Sequence, residues 1–266
     1  MEINLPKKLS ASVHHGRFWL GLGSLFAGLL CWQLTVSLSG LPAFILPAPG
    51  DVWSRFVRAI TDGSLLINSG VTLVEVLLGL LSGVTFATVL GYLLAKSRKL
   101  ERVLSPYLVA SQAVPLVAVA PLLIIWFGPG MFSKVLICAL IVFFPVLVNT
   151  VVGVRAVPHA LYDLMNSLRA TRRQILLKLE IPAALPIFLG GLRIGATLSV
   201  IGAVVGELVG ADSGLGFLIN VGRGQYDTAL VFVAIFTLIL LALLLYGIVA
   251  LIESRTLRWQ EWNSKE

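Results

Sequence analysis

A chain of 266 residues that is 58% hydrophobic and only 12% charged, with a mean hydropathy of +0.95, is not an ordinary soluble domain, in which about a quarter of residues carry charge. Its formal net charge of +7 points to basic loops on the cytoplasmic side of a membrane rather than to nucleic acid. The two cysteines, Cys31 and Cys138, both fall in apolar runs, read as buried packing residues, and supply neither a disulfide framework nor a zinc site.

Residues 1–17 form a polar, basic tail with Lys7, Lys8 and Arg17. Residues 18–39 are the first run with the roughly 20 apolar residues that a bilayer requires. The run is too long for the apolar region of a signal peptide and reads as a retained anchor. LPAFILPAPGDVW then reads as an extended loop, followed by a short helix capped by Asp51 with Val52, Phe56, Val57 and Ile60 on its apolar side, at the outer interface. Residues 67–95 form the second span, with Gly70, Gly79, Gly83 and Gly91 allowing close helix approach. Glu75 lies near one end of this span and is expected to reach the interface. KSRKLER follows as a basic loop.

The third span covers residues 106–127, with breaks expected at Pro115 and Pro121. Ser111, Gln112 and Pro115 at the first break are candidates for a pathway lining, against the alternative of a kinked packing helix. The fourth span, 132–154, contains Pro145 and the further lining candidates Asn149 and Thr150. The fifth, 185–209, carries Ser199 and Glu207 as candidates, and Arg193 as a structural partner or snorkelling residue. GADSGLGFLINVGRGQYDTA reads as an outer glycine-rich loop. The sixth span is 229–253, and 254–266 is a basic, tryptophan-bearing tail.

The interval 155–183 interrupts this apolar pattern. Helical spacing predicts one helix over 159–168 and a second over 172–181, with Pro182 and Pro186 re-aiming the chain. An amphipathic pair of this kind either docks another protein or lies on the lipid surface. Six spans put both termini on one side. Fifteen Lys and Arg residues fall in the tails, the 96–105 loop and the 155–183 interval, against three in the opposite loops, so the termini and the helix pair are expected to be cytoplasmic. The sequence has no G-x-x-x-x-G-K-[ST] and no H-E-x-x-H, so no nucleotide or metal site is expected in the chain itself. A secondary transporter or channel would require paired acids or ion-coordinating broken helices, and only Glu75 and Glu207 are available.

Residues 155–186 resemble the loop motif of ABC importer permeases, E-A-A, three residues, G, nine residues, I-x-L-P. Asp163-Leu164-Met165 takes the E-A-A place, Arg169 the glycine place, and Leu179-Glu180-Ile181-Pro182 the last. Arg169 is the main departure, and Arg169-Ala170-Thr171 is the expected turn, with Thr171 as the next cap. LPAPGDVW, AVPLVAVAPLLIIWFGPG and LPIFLGGLRIGATLSVIGAVVGELVGADSGLGFLI are similar to the nitrate/sulfonate/taurine-type branch. LRATRRQILLKLEIPAALP and GELVGAD are similar to its permeases for riboflavin or thiamine pyrimidine precursors.

The resemblance implies an all-α membrane protein of the type I importer permease kind, with six transmembrane helices over 18–253 and a cytoplasmic coupling-helix pair. Tyr162, Asp163, Leu164, Met165, Ser167, Leu168, Arg169, Ala170, Thr171, Arg172 and Arg173 would contact an ATPase. The implied partners are a cytoplasmic ABC ATPase dimer holding ATP and magnesium, a second, identical permease copy, an extracytoplasmic substrate-binding protein and membrane lipid. The implied location is the bacterial inner membrane. The chain itself would be no enzyme and would hold no cofactor. The implied substrate is riboflavin or a thiamine pyrimidine precursor, or alternatively a sulfonate, taurine or nitrate-like anion.

Overall fold

The computed structural model describes residues 8–257, with side chains from residue 23 onward. The start of the N-terminal tail and most of the tryptophan-bearing C-terminal tail lie outside those residues. Among the described residues every regular element is helical: α1 Lys8–Ser39, α2 Pro49–Thr61, α3 Ser64–Lys96, α4 Arg98–Gln112, α5 Leu116–Phe127, α6 Met131–Arg155, α7 His159–Ser167, α8 Arg172–Ile175, α9 Ile181–Gly210, α10 Leu215–Gly224 and α11 Thr228–Thr256. A π-helical turn, Leu176–Glu180, joins α8 to α9.

The core is built from α3, α6 and α9, drawn together by small residues. Gly79 of α3 faces Val135 and Cys138 of α6, Gly83 faces Ala139 and Val142, and Gly91 faces Leu147 and Thr150. Both sets of numbers rise together, so α3 and α6 run parallel. Along α9 the order reverses: Gly191 meets Asn149, Gly202 meets Cys138, and Gly206 meets Lys134. A Cβ at Gly83 would lie 2.7 Å from the Ala139 carbonyl oxygen, and one at Gly202 would lie 2.7 Å from the Cys138 Cα. In lipid, where no hydrophobic force drives helices together, such close backbone packing supplies the association. Helix α11 covers α9, with Val233, Ala234 and Leu238 packed into the same core as Ala196, Val200 and Ala203.

Parallel α3 and α6 require the chain between them to travel back along the bundle. The α4–α5 pair does so, bent by 95° at its break. The single span expected at 106–127 is therefore two helices. Pro115 begins the second with an extended backbone, φ −68° and ψ 107°. It lacks an amide donor and disfavours helix at Val114. At Pro121, where a second break was expected, α5 continues. Helices α3, α6, the stretch Arg172–Gly210 and α11 are each long and apolar enough to cross a membrane, and the bent pair makes a fifth. The described apolar part of α1, Gly23–Ser39, is shorter than these, so the described residues give four spans and the bent pair against the six expected.

Other expectations are corrected. The chain is not re-aimed at Pro182 or Pro186: the helix runs unbroken over Arg172–Gly210. The Ile181 amide donates to the Leu176 carbonyl, five residues back, and this widened turn accommodates the register change just before Pro182. The outer glycine-rich loop contains a helix, α10, because Leu215 and Leu218 are buried and their packing outweighs the poor helix propensity of its glycines. Asp51 is not the N-cap residue of α2, which is Ala48. It sits inside the first turn, where its carboxylate accepts the Ala48 amide at 3.2 Å. Cys31 is exposed, unlike the buried Cys138. Glu75 does not reach the interface. It is fully buried against Lys134, 3.0 Å away on α6, so the acid carries its own counter-charge into the core.

Candidate coupling site

Helix α6 ends at Arg155, whose guanidinium grips the Glu101 carboxylate at 2.6 and 2.7 Å and the Leu94 carbonyl at 3.2 Å. That clamp holds the ends of α3, α4 and α6 together, beside an open cleft of about 1090 Å³ lined by Arg98, Arg102, Arg155, His159 and Tyr162 among others. The basic segments at 96–102 and 155–173 thus meet at one end of the bundle. Arg55 and Asp227, at the opposite end, form their own ion pair at 2.7 Å.

Pro158 starts α7 by ending the preceding turn, and the helix stops at Ser167. The stop is a Schellman motif. The Arg169 amide donates to Asn166 O and the Ala170 amide to Met165 O, each at 2.9 Å, and Arg169 has φ 51°. Arg169 therefore adopts the left-handed conformation that glycine takes most readily, and a tight turn forms there despite its side chain. Thr171 then caps the next helix as expected. Its hydroxyl accepts the Gln174 amide at 3.3 Å, and the Gln174 side chain accepts the Thr171 amide at 2.8 Å.

The outcome is a protruding hairpin. Leu161, Leu164 and Leu168 are 39, 54 and 69% exposed, and α7 has no buried residue. Asp163, Ser167, Arg169, Thr171, Arg172 and Arg173 are exposed, while Tyr162, Met165 and Ala170 are half-buried. The hairpin is tethered through Tyr162, whose hydroxyl lies 3.4 Å from Lys96 Nζ and whose ring centroid lies 4.9 Å from it. Burial, joined by the nearby Glu180 charge, raises the Tyr162 pKa above its ordinary value, so the group is a neutral hydroxyl at physiological pH.

The lining candidates do not converge. Ser111, Gln112 and Pro115 are exposed together at the α4–α5 bend. Asn149 is half-buried, its amide bonded to Pro145 O at 2.8 Å. Thr150 and Ser199 are buried and bonded to their own helices, to Val146 O at 2.7 Å and Ala196 O at 2.8 Å. Glu207 is fully buried. Its carboxylate accepts the Thr72 hydroxyl at 2.6 Å and the Gly216 amide. Asn68 and Thr72, missed in the sequence, complete this strut by accepting the Gly214 and Leu215 amides at 2.7 and 2.8 Å. Arg193 is a structural partner, paired with Glu253 and bonded to the Tyr246 hydroxyl at 3.3 Å. Tyr92 and the pairing of Glu180 with Lys96 were not singled out from the sequence, although an acid two residues before Pro182 at the mouth of a span was the available signal. Among the described residues no three of His, Cys, Asp and Glu gather as a metal site.

Comparison with known proteins agrees with this architecture. Residues 79–258 match the family model "Binding-protein-dependent transport system inner membrane component". The chain is 48% identical over 245 residues to the riboflavin transport system permease protein RibX of Chloroflexus aurantiacus, covering 91% of each chain. It is 34% identical to the formylaminopyrimidine transport permease protein ThiX of Halalkalibacterium halodurans, covering 88% of this chain and 92% of that one. Among solved structures, the inward-facing MetNI methionine ABC transporter aligns with a TM-score of 0.63 at 20% identity, over 72% of this chain and 95% of that one. The chain accordingly belongs to the binding-protein-dependent transport system inner membrane component family, as a permease subunit of an ABC importer rather than an enzyme.

Proposed function

We propose that this chain forms the translocation pathway of an importer driven by a separate cytoplasmic ATPase dimer that docks on α7 and the 169–173 turn. The observation that carries the proposal is the hairpin itself, which presents three exposed leucines beside Arg169, Arg172 and Arg173, with no ion pair to these arginines among the described residues. Apolar anchors with a basic rim suit a groove bordered by acids. The positive-inside bias supports a cytoplasmic location for this end and for both chain termini. ATP and magnesium are held by the ATPase. Its closure tips the spans of this chain and of a second, identical copy between inward- and outward-open states, and a binding protein delivers solute from outside.

The names of RibX and ThiX support riboflavin or a thiamine pyrimidine precursor as substrate. A sulfonate or taurine is the alternative, since the chain is also 35% identical to the sulfonate permease SsuC of Bacillus subtilis. Pull-down of the ATPase on the tagged permease tests the docking surface. Arg172→Glu with Arg173→Glu should lower recovery roughly ten-fold or more, the scale of a lost interface hot spot, while membrane insertion stays intact. Unchanged recovery rejects the surface. Uptake in proteoliposomes driven by an ion gradient without the ATPase would replace the reading with a secondary transporter.

A further inference from the structure

We infer that Glu180 is a positioning residue for energy coupling: with Lys96 it forms a latch that carries movement of α7 into α3 and α9. Glu180 is 3% exposed and lies in the π-helical turn at the head of α9. Its carboxylate pairs with Lys96 Nζ and accepts the Tyr92 hydroxyl at 3.0 Å, both from α3. Lys96 also reaches across to Tyr162 on α7, and its ammonium lies 5.9 Å from the Tyr92 ring centroid and 4.9 Å from that of Tyr162. Three helices therefore meet at one ammonium and one buried carboxylate.

Two further observations give the latch a direction of action. The Tyr162–Lys96 bond is the only side-chain hydrogen bond that leaves α7 among the described residues. A force on the exposed hairpin reaches α9 along the continuous Arg172–Gly210 helix, and that contact carries it across to α3. Glu180 also faces an apolar groove of about 440 Å³ between α3 and α9, lined by Leu176, Ile181, Ala184 and Phe188. The groove offers the carboxylate only the hydroxyls of Tyr92, Thr88 and Thr150 and no second cation, so separating it from Lys96 leaves a buried acid without its counter-charge, which is strongly unfavourable. The contact therefore resists breaking and moves as a unit. The π-turn beneath it is a place where helices commonly alter register at functional sites.

The inference rests on the proposed docking of an ATPase at α7, and its test separates the two. In a Cys31→Ser, Cys138→Ala background, Ser111→Cys at the α4–α5 bend is labelled with a membrane-impermeant maleimide in the reconstituted permease–ATPase complex, with and without ATP and orthovanadate. The parent complex should change its labelling rate on vanadate trapping. Glu180→Gln and Tyr162→Leu should each reduce that change by about five-fold or more, the low end of ordinary coupling between sites. In Glu180→Gln, which is buried away from the docking surface, ATPase recovery and ATP hydrolysis should remain near the parent values, which a merely structural role does not predict, whereas Tyr162→Leu lies on the docking helix and is read only in complexes that have recovered the ATPase. Tyr162 is half-buried on a helix with no buried residues, so its variant is informative even where Glu180→Gln fails to assemble. An unchanged vanadate response in assembled Tyr162→Leu complexes overturns the latch and leaves the docking proposal standing. A parent complex that binds no ATPase, or ignores ATP, removes both.

Discussion

Arg169 spends conformational energy where the aligned loop motif has glycine. At φ 51° it ends α7 with both Schellman hydrogen bonds made. A non-glycine residue in the left-handed region costs on the order of 1 kcal/mol, and β-branching raises that cost. Arg169→Gly should therefore leave thermal stability within about 0.5 kcal/mol of the parent, because relief of strain is offset by the freedom gained in the unfolded chain. Arg169→Val should lower it by roughly 1–2 kcal/mol. Thermal unfolding in detergent compares the two, and a valine variant as stable as the glycine one would mean that the turn is not held at this φ. The position of the turn was readable from the spacing of the loop, as was the Thr171 cap. The left-handed conformation was not, because the arginine side chain conceals the backbone requirement that a glycine would announce. The partners of Glu75 and Glu207 were equally hidden. Each acid was visible in an apolar run, but Lys134 and Thr72 reach them only through the packing of different helices.

At the scale of helices, the glycines of α3 were legible as contact points, and the structure shows why Gly79, Gly83 and Gly91 are small: their backbone presses on α6, as that of Gly202 on α9 also does, whereas nothing lies within 4 Å of a Cβ at Gly70. Gly202→Leu should be more damaging than Gly190→Leu. A Cβ at Gly202 meets Cys138 backbone, which cannot yield as the tip of a flexible side chain can, whereas nothing lies within 4 Å of one at Gly190. Overpacking of this kind costs about 1–3 kcal/mol, and more where backbone must shift. The expected result is loss of folded Gly202→Leu protein in fluorescence-detected size-exclusion profiles, with Gly190→Leu near the parent. Equal profiles would show that α6 and α9 are not in this close contact. What periodicity could not supply were the events that depend on hydrogen-bond register and tertiary contact. Pro115 separates two helices while Pro121, six residues later, lies inside one. The π-turn carries the helix past Pro182, and α10 forms in a glycine-rich segment because buried leucines hold it.

Across the whole molecule, the direction of the chain is fixed by internal contacts alone. Lys134 near the start of α6 pairs with Glu75 in the first half of α3, and Arg155 at its end reaches Leu94 near the end of α3. The intervening α4–α5 pair therefore traverses the bundle and does not re-enter on the side it left. Gly130 and Asp212 lie at one end, and Lys99 lies at the other with the basic segments. The proposed orientation puts that basic end in the cytoplasm. In a chain freed of its native cysteines, Gly130→Cys and Asp212→Cys should react with a membrane-impermeant maleimide in spheroplasts, and Lys99→Cys only after permeabilisation. All three positions are exposed, so failure to react reports sidedness rather than burial. Inversion of all three would reverse the orientation while keeping the fold. Reaction of Gly130→Cys together with Lys99→Cys would make the bent pair a re-entrant loop, which is incompatible with parallel α3 and α6 and would overturn the architecture on which the coupling argument stands.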